Sequence, residues 1–566
     1  MRLTGRTLIQ RYWFLMTLFL CSVIFFWVYV YVYWGEQGLP LIGNSPENNP
    51  PHLILNQPDE AANYFFIRSL ALDKNFTVFE PVASLTGNQV HPRSTTIVHG
   101  HLTPISFPGM IALYGFISHF FVVIFGTALF NLCAIALTPL LAVIAPWFLY
   151  GWLRRVMSEG SAKISSLLLF ILPPWWYYAS RPFQHHIVFI TFFLVALYCL
   201  ERARASFSDR RLQSLWLFLF GLSTALTLYI RTSEVVWVTG VLAVVFWQGR
   251  RSWQRRGIAA MVGAVCLVLG VFFLTQIAYY GSPLGTGYAR PESNGSAGTF
   301  LSNPQHISLW QAVVAPFGIH PIHMGKAVMA YIVQLFWWSW FLEVIGAGMC
   351  FFTYLRLKKS GHPVATKQVW AYLFAFGVAS FYLLIFYGSW DFSDNLAGVS
   401  SIGSSYARYF LPISVFALPF GAYVIQECIK KEWKGKLVAS MIVLIFFLFS
   451  FRSVYLAFEG LTHMKQTLFA YGEWQKKLYI LTPSSAIIVT RYGDKYLFPG
   501  RHIIPGMGRP EQKEAVQTLL TKKYPVYLYD IDVSGLRPSD LATYHIRIGP
   551  SLASWEGVEL RRLTLE

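Results

Sequence analysis

Asp59 and Glu60 stand side by side a short way beyond the first long apolar stretch of a chain that otherwise avoids acid: 27 Asp and Glu face 45 Lys and Arg. Two carboxylates near a membrane surface are costly unless something there needs them, such as a substrate hydroxyl, a metal ion or a basic partner. One such use is general-base catalysis, in which a carboxylate takes the proton from an acceptor nucleophile. The plainer use is structural: the pair caps a surface helix and meets a base such as Arg68. The segment 59–72 reads as that helix. Pro58 suits its start, and both acids fall in the first turn, where the helix dipole favours negative charge. Its apolar residues leave one polar side, which suits a helix lying along a membrane surface.

Further polar groups follow. His91, His99 and His101 lie in the same polar stretch. His99 and His101 would share one side of an extended strand, as a zinc or manganese site needs. The spacing matches no recognised metal signature, and the sequence requires no cofactor. If a divalent metal is used, Glu60, His99 and His101 are its candidate ligands. His185-His186 sit at a junction between apolar runs, and His320 and His323 in a long loop. The aromatic runs Trp175-Trp176-Tyr177-Tyr178 and Trp337-Trp338-Ser339-Trp340 suit a membrane interface better than a sugar platform. Cys21, Cys133, Cys199, Cys266, Cys350 and Cys428 all lie in or beside apolar runs and read as small packing residues.

The elements that must position these groups are membrane helices. Of the 566 residues, 55% are hydrophobic and only 13% charged, against about 25% charged in soluble domains. Apolar runs of about 20 residues recur, the length that crosses a bilayer. The net charge of +18 does not point to nucleic acid. Its basic residues sit in short clusters between apolar runs, as cytoplasmic loops do. The stretch Tyr12 to Trp34 follows Arg2, Arg6 and Arg11 and is too long for a signal peptide's core, so it reads as an uncleaved first span. Ten more spans are expected near 127–153, 162–179, 184–201, 212–230, 233–248, 257–280, 328–355, 367–387, 406–428 and 436–456. Residues 104–126 are apolar too but break the charge alternation, and Pro104, Pro108 and Gly109 suit an interfacial or re-entrant helix there.

Basic clusters put the N-terminus inside, and Asp59, Arg181, Arg231, Lys326 and Arg408 outside. Two outer segments are long: 35–126, with the acidic pair, and 281–327, an irregular loop rich in Gly, Ser and Pro. The spans and these loops form a transmembrane domain over 1–456. The tail, 457–566, differs in composition. It reads as a small extracytoplasmic α/β domain with strands at 486–490 and 526–530 and a helix over 509–523.

Asp59-Glu60-x-x-x-Tyr64 after the first span resembles the acidic motif of the GT-C superfamily of membrane glycosyltransferases, which includes protein mannosyltransferases and the aminoarabinose transferases of lipid A. Ser106-Phe107-Pro108-Gly109-Met110, Tyr280-Gly281-Ser282-Pro283-Leu284 with Thr286-Gly287-Tyr288, Arg231-Thr232 and Arg408-Tyr409-Phe410-Leu411-Pro412 resemble further features of that superfamily. Together they span residues 1–456. The resemblance implies a polytopic α-helical GT-C-like fold. It also implies transfer of a sugar from a polyprenyl-phosphate donor to a lipid, glycan or protein acceptor on the extracytoplasmic face. Asp59 would be the base, with Glu60 supporting it or holding a metal. Arg408 would bind the donor phosphate, backed by Arg231, Lys326 and Arg181, since an arginine fork matches phosphate oxygens. Tyr64, His99, His101, Tyr288 and Tyr409 would line the substrate. Relatives often carry a further carboxylate in the first loop; here the later acids are Asp73 and Glu80. The expected setting is a bacterial or archaeal cell membrane. Two alternatives remain: a surface-polysaccharide polymerase or ligase, which would not need the acidic pair, and a transporter, which would show matching halves with broken helices.

Overall fold

The computed structural model describes residues 5–33, 52–249, 252–287, 316–360, 363–390, 399–530 and 538–566. Among these, ten helices are long and apolar enough to cross a membrane, with a shorter apolar helix over Thr232–Gln248. The chain is an integral, multi-pass membrane protein. It divides into two compact units: Met1–Val32 with Ala136–Gly270 and Ile307–His463, and Tyr33–Ile135 with Val271–His306 and Met464–Glu566.

In the first unit, several spans differ in detail from the hydropathy reading, and proline accounts for two of the differences. Residues 162–179 are not one span but two helices, Glu159–Ile171 and Pro173–Ala179, broken at an extended Leu172. Proline lacks the amide hydrogen a helix needs and pushes the residue before it out of the helical region. The freed carbonyl of Phe170 accepts from Tyr29 Oη at 2.9 Å. Residues 406–428 likewise form a short helix, Ser405–Tyr409, and then Leu411–Ile429 with Pro412 in its first turn. The 328–355 span opens earlier, with Pro321–Val328 and a wide turn at Met329–Gln334 before Trp337–Lys359. Helices Trp337–Lys359 and Leu411–Ile429 lie so close that a Cβ at Gly346 would run into the backbone carbonyl of Phe420.

In the second unit, the helix that carries the acidic pair spans Pro58–Arg68 and runs on through a wide turn at Ser69–Asp73. It packs on Pro108–Phe125, where a Cβ at Gly115 would sit 2.5 Å from Leu70 Cδ2. Residues 104–126 are thus mostly one 18-residue helix, itself long enough to cross a membrane. Strands β1 (Val78–Phe79), β2 (Thr95–Val98) and β3 (His101–Pro104) form an antiparallel sheet in the order β1-β3-β2.

The C-terminal α/β region forms a five-stranded sheet. Its strands are β4 (Ile487–Val489), β5 (His502–Ile504), β6 (Val526–Asp530), β7 (Ile546–Trp555) and β8 (Val558–Leu565), in the order β5-β4-β6-β8-β7. β4 runs parallel to β5 and β6, while β8 is antiparallel to β6 and β7. Helix Pro510–Thr521 covers one face through Ala515, Val516 and Leu519. Val82 and Val90, from the stretch after the acidic helix, complete that same core.

The close approach at Gly346 yields a test. Gly346→Leu should destabilise the protein by about 1–3 kcal/mol, the usual cost of overpacking, whereas Gly348→Ala, with open space around its Cβ, should be tolerated. Thermal unfolding in detergent, followed by size exclusion, checks both.

Candidate functional site

The two adjacent acids meet different fates. Pro58 sets the first turn, and Glu60 turns back so that Oε2 accepts the Gln57 backbone N–H at 3.1 Å. This is one of the amides left without a partner at a helix start. Glu60 is fully buried, whereas Asp59 stays partly exposed. Ser94 Oγ donates to Asp59 Oδ1 at 2.5 Å. Tyr64 is buried, and its hydroxyl donates to Asn131 Oδ1 at 2.7 Å. Burial pushes the Tyr64 hydroxyl up to about 12, so it stays a neutral donor at neutral pH. Asn63 Oδ1 accepts from Ser106 Oγ at 2.9 Å, which ties the acidic helix to the Ser-Phe-Pro-Gly stretch.

The C-terminal sheet region holds the loop beside Asp59. Asp494, only 1% exposed, receives Arg93 through Nη2 at 2.6 Å and Nε at 3.1 Å, and takes the Arg93 backbone N–H at 2.9 Å. This is a fork-like charge-assisted contact. His91, two residues earlier, is buried, and its Nδ1 donates to the Pro92 carbonyl at 3.0 Å. Burial lowers its pKa to about 4, so His91 is neutral at physiological pH. Glu80 accepts from His502 Nδ1 at 2.9 Å, and that hydrogen bond raises the His502 pKa.

Four basic candidates belong to the first unit, and three are buried. Arg231 is 3% exposed and makes an ion pair with Glu234 at 2.7 Å. It also donates to Tyr387 Oη at 2.7 Å and to His186 Nε2. An arginine only donates, so His186 carries its proton on Nδ1, and among the described residues that buried N–H has no acceptor. Arg408 donates to Gln184 Oε1 and Ser405 Oγ, both at 3.0 Å. Tyr409 stacks on Tyr387 with ring centroids 4.3 Å apart and faces the guanidinium groups of both Arg231 and Arg408. The structure thus brings Arg231, Arg408 and Tyr409 together with His186, Gln184, Glu234 and Tyr387. Arg181 is fully buried beside Tyr177, and Lys326 is exposed on helix Pro321–Val328.

An apolar cavity runs between the helices of this unit. Arg155, Glu201, Phe193, Trp237, Leu383 and Pro412 are among the residues that line it. Trp237, one of these lining residues, donates its indole N–H to Glu234 at 2.6 Å, and Glu234 is the ion-pair partner of Arg231, so the cavity adjoins the arginine cluster there.

The histidine expectation changes. His99 and Gly100 both have left-handed backbone, φ 51° and 79°, and make the two-residue turn between β2 and β3. His99 therefore sits at a hairpin tip and not beside His101 on an extended strand. His101 Nδ1 lies 3.5 Å from Thr77 Oγ1. Among the described residues no three His, Cys, Asp or Glu side chains converge as metal ligands would. Tyr288 lies outside the described residues. The sequence reading gave no role to Ser94, Asn131, Gln184, Glu234, Tyr387 or Asp494; their signal is spatial, since Arg93 and Asp494 are 401 positions apart.

Residues 112–275 match the family model described as dolichyl-phosphate-mannose-protein mannosyltransferase. Three solved structures share the fold at low identity. ArnT from Cupriavidus metallidurans, bound to undecaprenyl phosphate, has a TM-score of 0.52 at 10% identity, over 97% of each chain. The Archaeoglobus fulgidus oligosaccharyltransferase, tethered to an acceptor peptide with an NVT sequon, has a TM-score of 0.53 at 12% identity, over 92% of this chain and 69% of that one. Its complex with Zn and sulfate has a TM-score of 0.50 at 14% identity, over 90% and 67%. No curated protein matches the chain in sequence.

The Glu80–His502 contact gives a pH dependence of known sign. A folded-state His502 pKa above its unfolded value contributes stability that is fully present below about pH 6.5 and is lost as pH rises through the folded value. Thermal unfolding of the C-terminal region should therefore move to lower temperature from pH 6 to pH 9. Glu80→Gln should flatten that trend. The check is a pH series of unfolding curves for both proteins.

Proposed function

We propose that the chain is a membrane glycosyltransferase of GT-C type that uses a lipid-linked sugar donor, and that its residues divide the reaction as follows. Asp59 takes the proton from the acceptor's nucleophile. The freed electron pair attacks the anomeric carbon, the bond from that carbon to the phosphate oxygen breaks, and polyprenyl phosphate leaves. The acceptor is a lipid, glycan or protein group on the extracytoplasmic face of a bacterial or archaeal cell membrane, with the N-terminus cytoplasmic.

The observation that carries the base assignment is the contrast between the two acids. Glu60 is buried and reaches back to its own helix start, while Asp59 is partly exposed and accepts the Ser94 hydroxyl at 2.5 Å. A base must be within reach of the proton it abstracts, and Asp59 is the acid of the pair with surface to offer. Glu60 supports it by fixing the helix start.

The leaving phosphate gains negative charge, and fixed donors aimed at it stabilise the transition state. Arg408 and Arg231 supply the cations of the first unit, and the His186 Nδ1–H, buried without an acceptor among the described residues, supplies a neutral donor. The apolar cavity that adjoins them suits a polyprenyl chain by its chemistry. Lys326 and Arg181 stand behind these as second choices. A divalent metal would look to Glu60, His99 and His101, but these residues make no cradle, so no step is routed through one.

The test uses the full chain in lipid nanodiscs with polyprenyl-phosphate sugars extracted from the source membrane. Asp59→Asn should lower kcat by about a hundredfold or more, the usual size of a general-base contribution, with little change in donor KM. Near-full transfer by that variant removes the base assignment. Arg408→Ala should raise donor KM and lower kcat, and Arg408→Lys should recover only part of the loss, because the ammonium lacks the fork. An unchanged donor KM in Arg408→Ala removes the phosphate assignment.

A further inference from the structure

The C-terminal sheet has a feature that its own fold does not need. β4 lies between β5 and β6, all three parallel, and the chain leaves β4 toward β5 and then crosses back to β6. In open α/β sheets the crevice outside the carboxyl ends of such strands is where ligands are held. Asp494 stands just past the carboxyl end of β4, and Arg491 beside it pairs with Asp530 at the end of β6 at 2.8 Å. At this end of the sheet Arg93 meets Asp494. Its guanidinium makes the two-nitrogen contact with Asp494 and faces the Tyr492 ring at 5.5 Å, and its backbone N–H also goes to Asp494.

The next residue, Ser94, donates its hydroxyl to Asp59. Its φ of 62° lies in the left-handed region that a serine rarely adopts, so the surroundings must hold it there. They do so on both sides. Before it, Asp494 holds the Arg93 side chain and accepts the Arg93 N–H, fixing the Pro92–Arg93 peptide. After it, the Thr95 hydroxyl donates to the Pro92 carbonyl at 2.8 Å, and the Ser94 carbonyl accepts the Ile105 N–H at 3.1 Å. The acidic helix is braced against the same region, with the Phe65 and Phe498 rings 4.5 Å apart.

We propose that the C-terminal sheet region is a clamp for the catalytic base: Asp494 grips Arg93, and this sets Ser94 so that its hydroxyl orients the Asp59 carboxylate. Arg93, Ser94 and Asp494 are positioning residues, which act on the reaction only through Asp59. The turnover part of this inference rests on Asp59 being the base; the geometric part does not.

Two measurements on the full chain in nanodiscs separate them. The first is carboxyl footprinting with a water-soluble carbodiimide and glycine ethyl ester, read by fragment-ion mass spectrometry. In Asp494→Asn and in Ser94→Ala, labelling of Asp59 should rise at least threefold relative to exposed Glu473, while buried Glu60 stays protected. Unchanged labelling of Asp59 overturns the clamp, and so does an equal rise at Glu60, which would mean the whole helix has loosened. The second is turnover of the polyprenyl-phosphate sugars that the unaltered chain uses. Asp494→Asn should lower kcat about tenfold with donor KM within twofold, as misplacement of a catalytic group does. The Ser94→Ala/Asp494→Asn double variant should be no slower than the slower single variant, and Asp494→Glu, which keeps the charge, should recover part of the rate. Multiplicative losses in the double variant overturn the proposal. If Asp494→Asn does not yield a monodisperse protein, Arg93→Gln, which removes the grip from the exposed side of the pair, takes its place with the same expected results. Full activity in Asp59→Asn alongside a footprint that moves as expected would overturn the base assignment and leave the clamp standing.

Discussion

An ion taken out of water costs several kcal/mol unless another charge and enough hydrogen bonds replace its hydration, and this constraint organises both units of the chain. In the first, Arg231 is buried only because Glu234, Tyr387 and His186 surround it. In the second, Asp494 is buried only because the Arg93 fork and backbone N–H close on it. Each buried ion drags its partners' backbone segments into register. The charge that a membrane protein keeps is thus also what fixes its loops.

The same demand explains where the helices break. A membrane helix can stop only where its freed carbonyls and amides find other partners. At Leu172 the Phe170 carbonyl is met by Tyr29 from another helix of the unit. Within Pro173–Ala179, the Tyr178 hydroxyl lies 3.0 Å from the carbonyls of Ile402 and Ser404. The Ile402–Ser404 stretch leads directly into Ser405–Tyr409, the short helix that carries Arg408. The aromatic run Trp175-Trp176-Tyr177-Tyr178 therefore does more than mark an interface: all four residues are buried, the Tyr178 hydroxyl ties down the backbone that leads to Arg408, and the Tyr177 hydroxyl donates to the Glu459 carbonyl at 3.0 Å.

Much of the architecture was legible because it obeys local rules. Long apolar runs bounded by basic clusters gave the membrane helices, Pro58 and the acids gave the helix that begins there, and β6 was placed at Val526–Asp530 from its apolar, aromatic run. What failed to show was tertiary or short. β5 is three residues and leaves no periodic trace. The β7–β8 hairpin did carry a signal, the spacing of Val558, Leu560, Leu563 and Leu565 after the Glu556-Gly557 turn, but Arg561 and Arg562 mask it. The break inside 162–179 was written in Pro173-Pro174, yet total hydropathy outweighed two prolines. His99-x-His101 misled because spacing alone cannot tell a strand from the turn that ends it. No local rule pairs Arg93 with Asp494 or Arg231 with Tyr387; those contacts exist only once the chain has folded.

The adjacent acids show how one local rule becomes a division of labour. Successive residues on a helix point about 100° apart, so Asp59 and Glu60 could not both turn inward. Proline at the helix start fixes which of them is the third residue of the first turn, and the side chain at that position is the one that reaches back to the amide before the helix. Glu60 is that residue, and burial follows. Asp59 is left pointing away from the helix start, toward whatever the next loop provides, and the loop provides Ser94. An acidic pair that looked interchangeable in sequence is thus asymmetric by geometry. One acid holds the helix start, the other meets the Ser94 hydroxyl, and exchanging their roles would require moving Pro58.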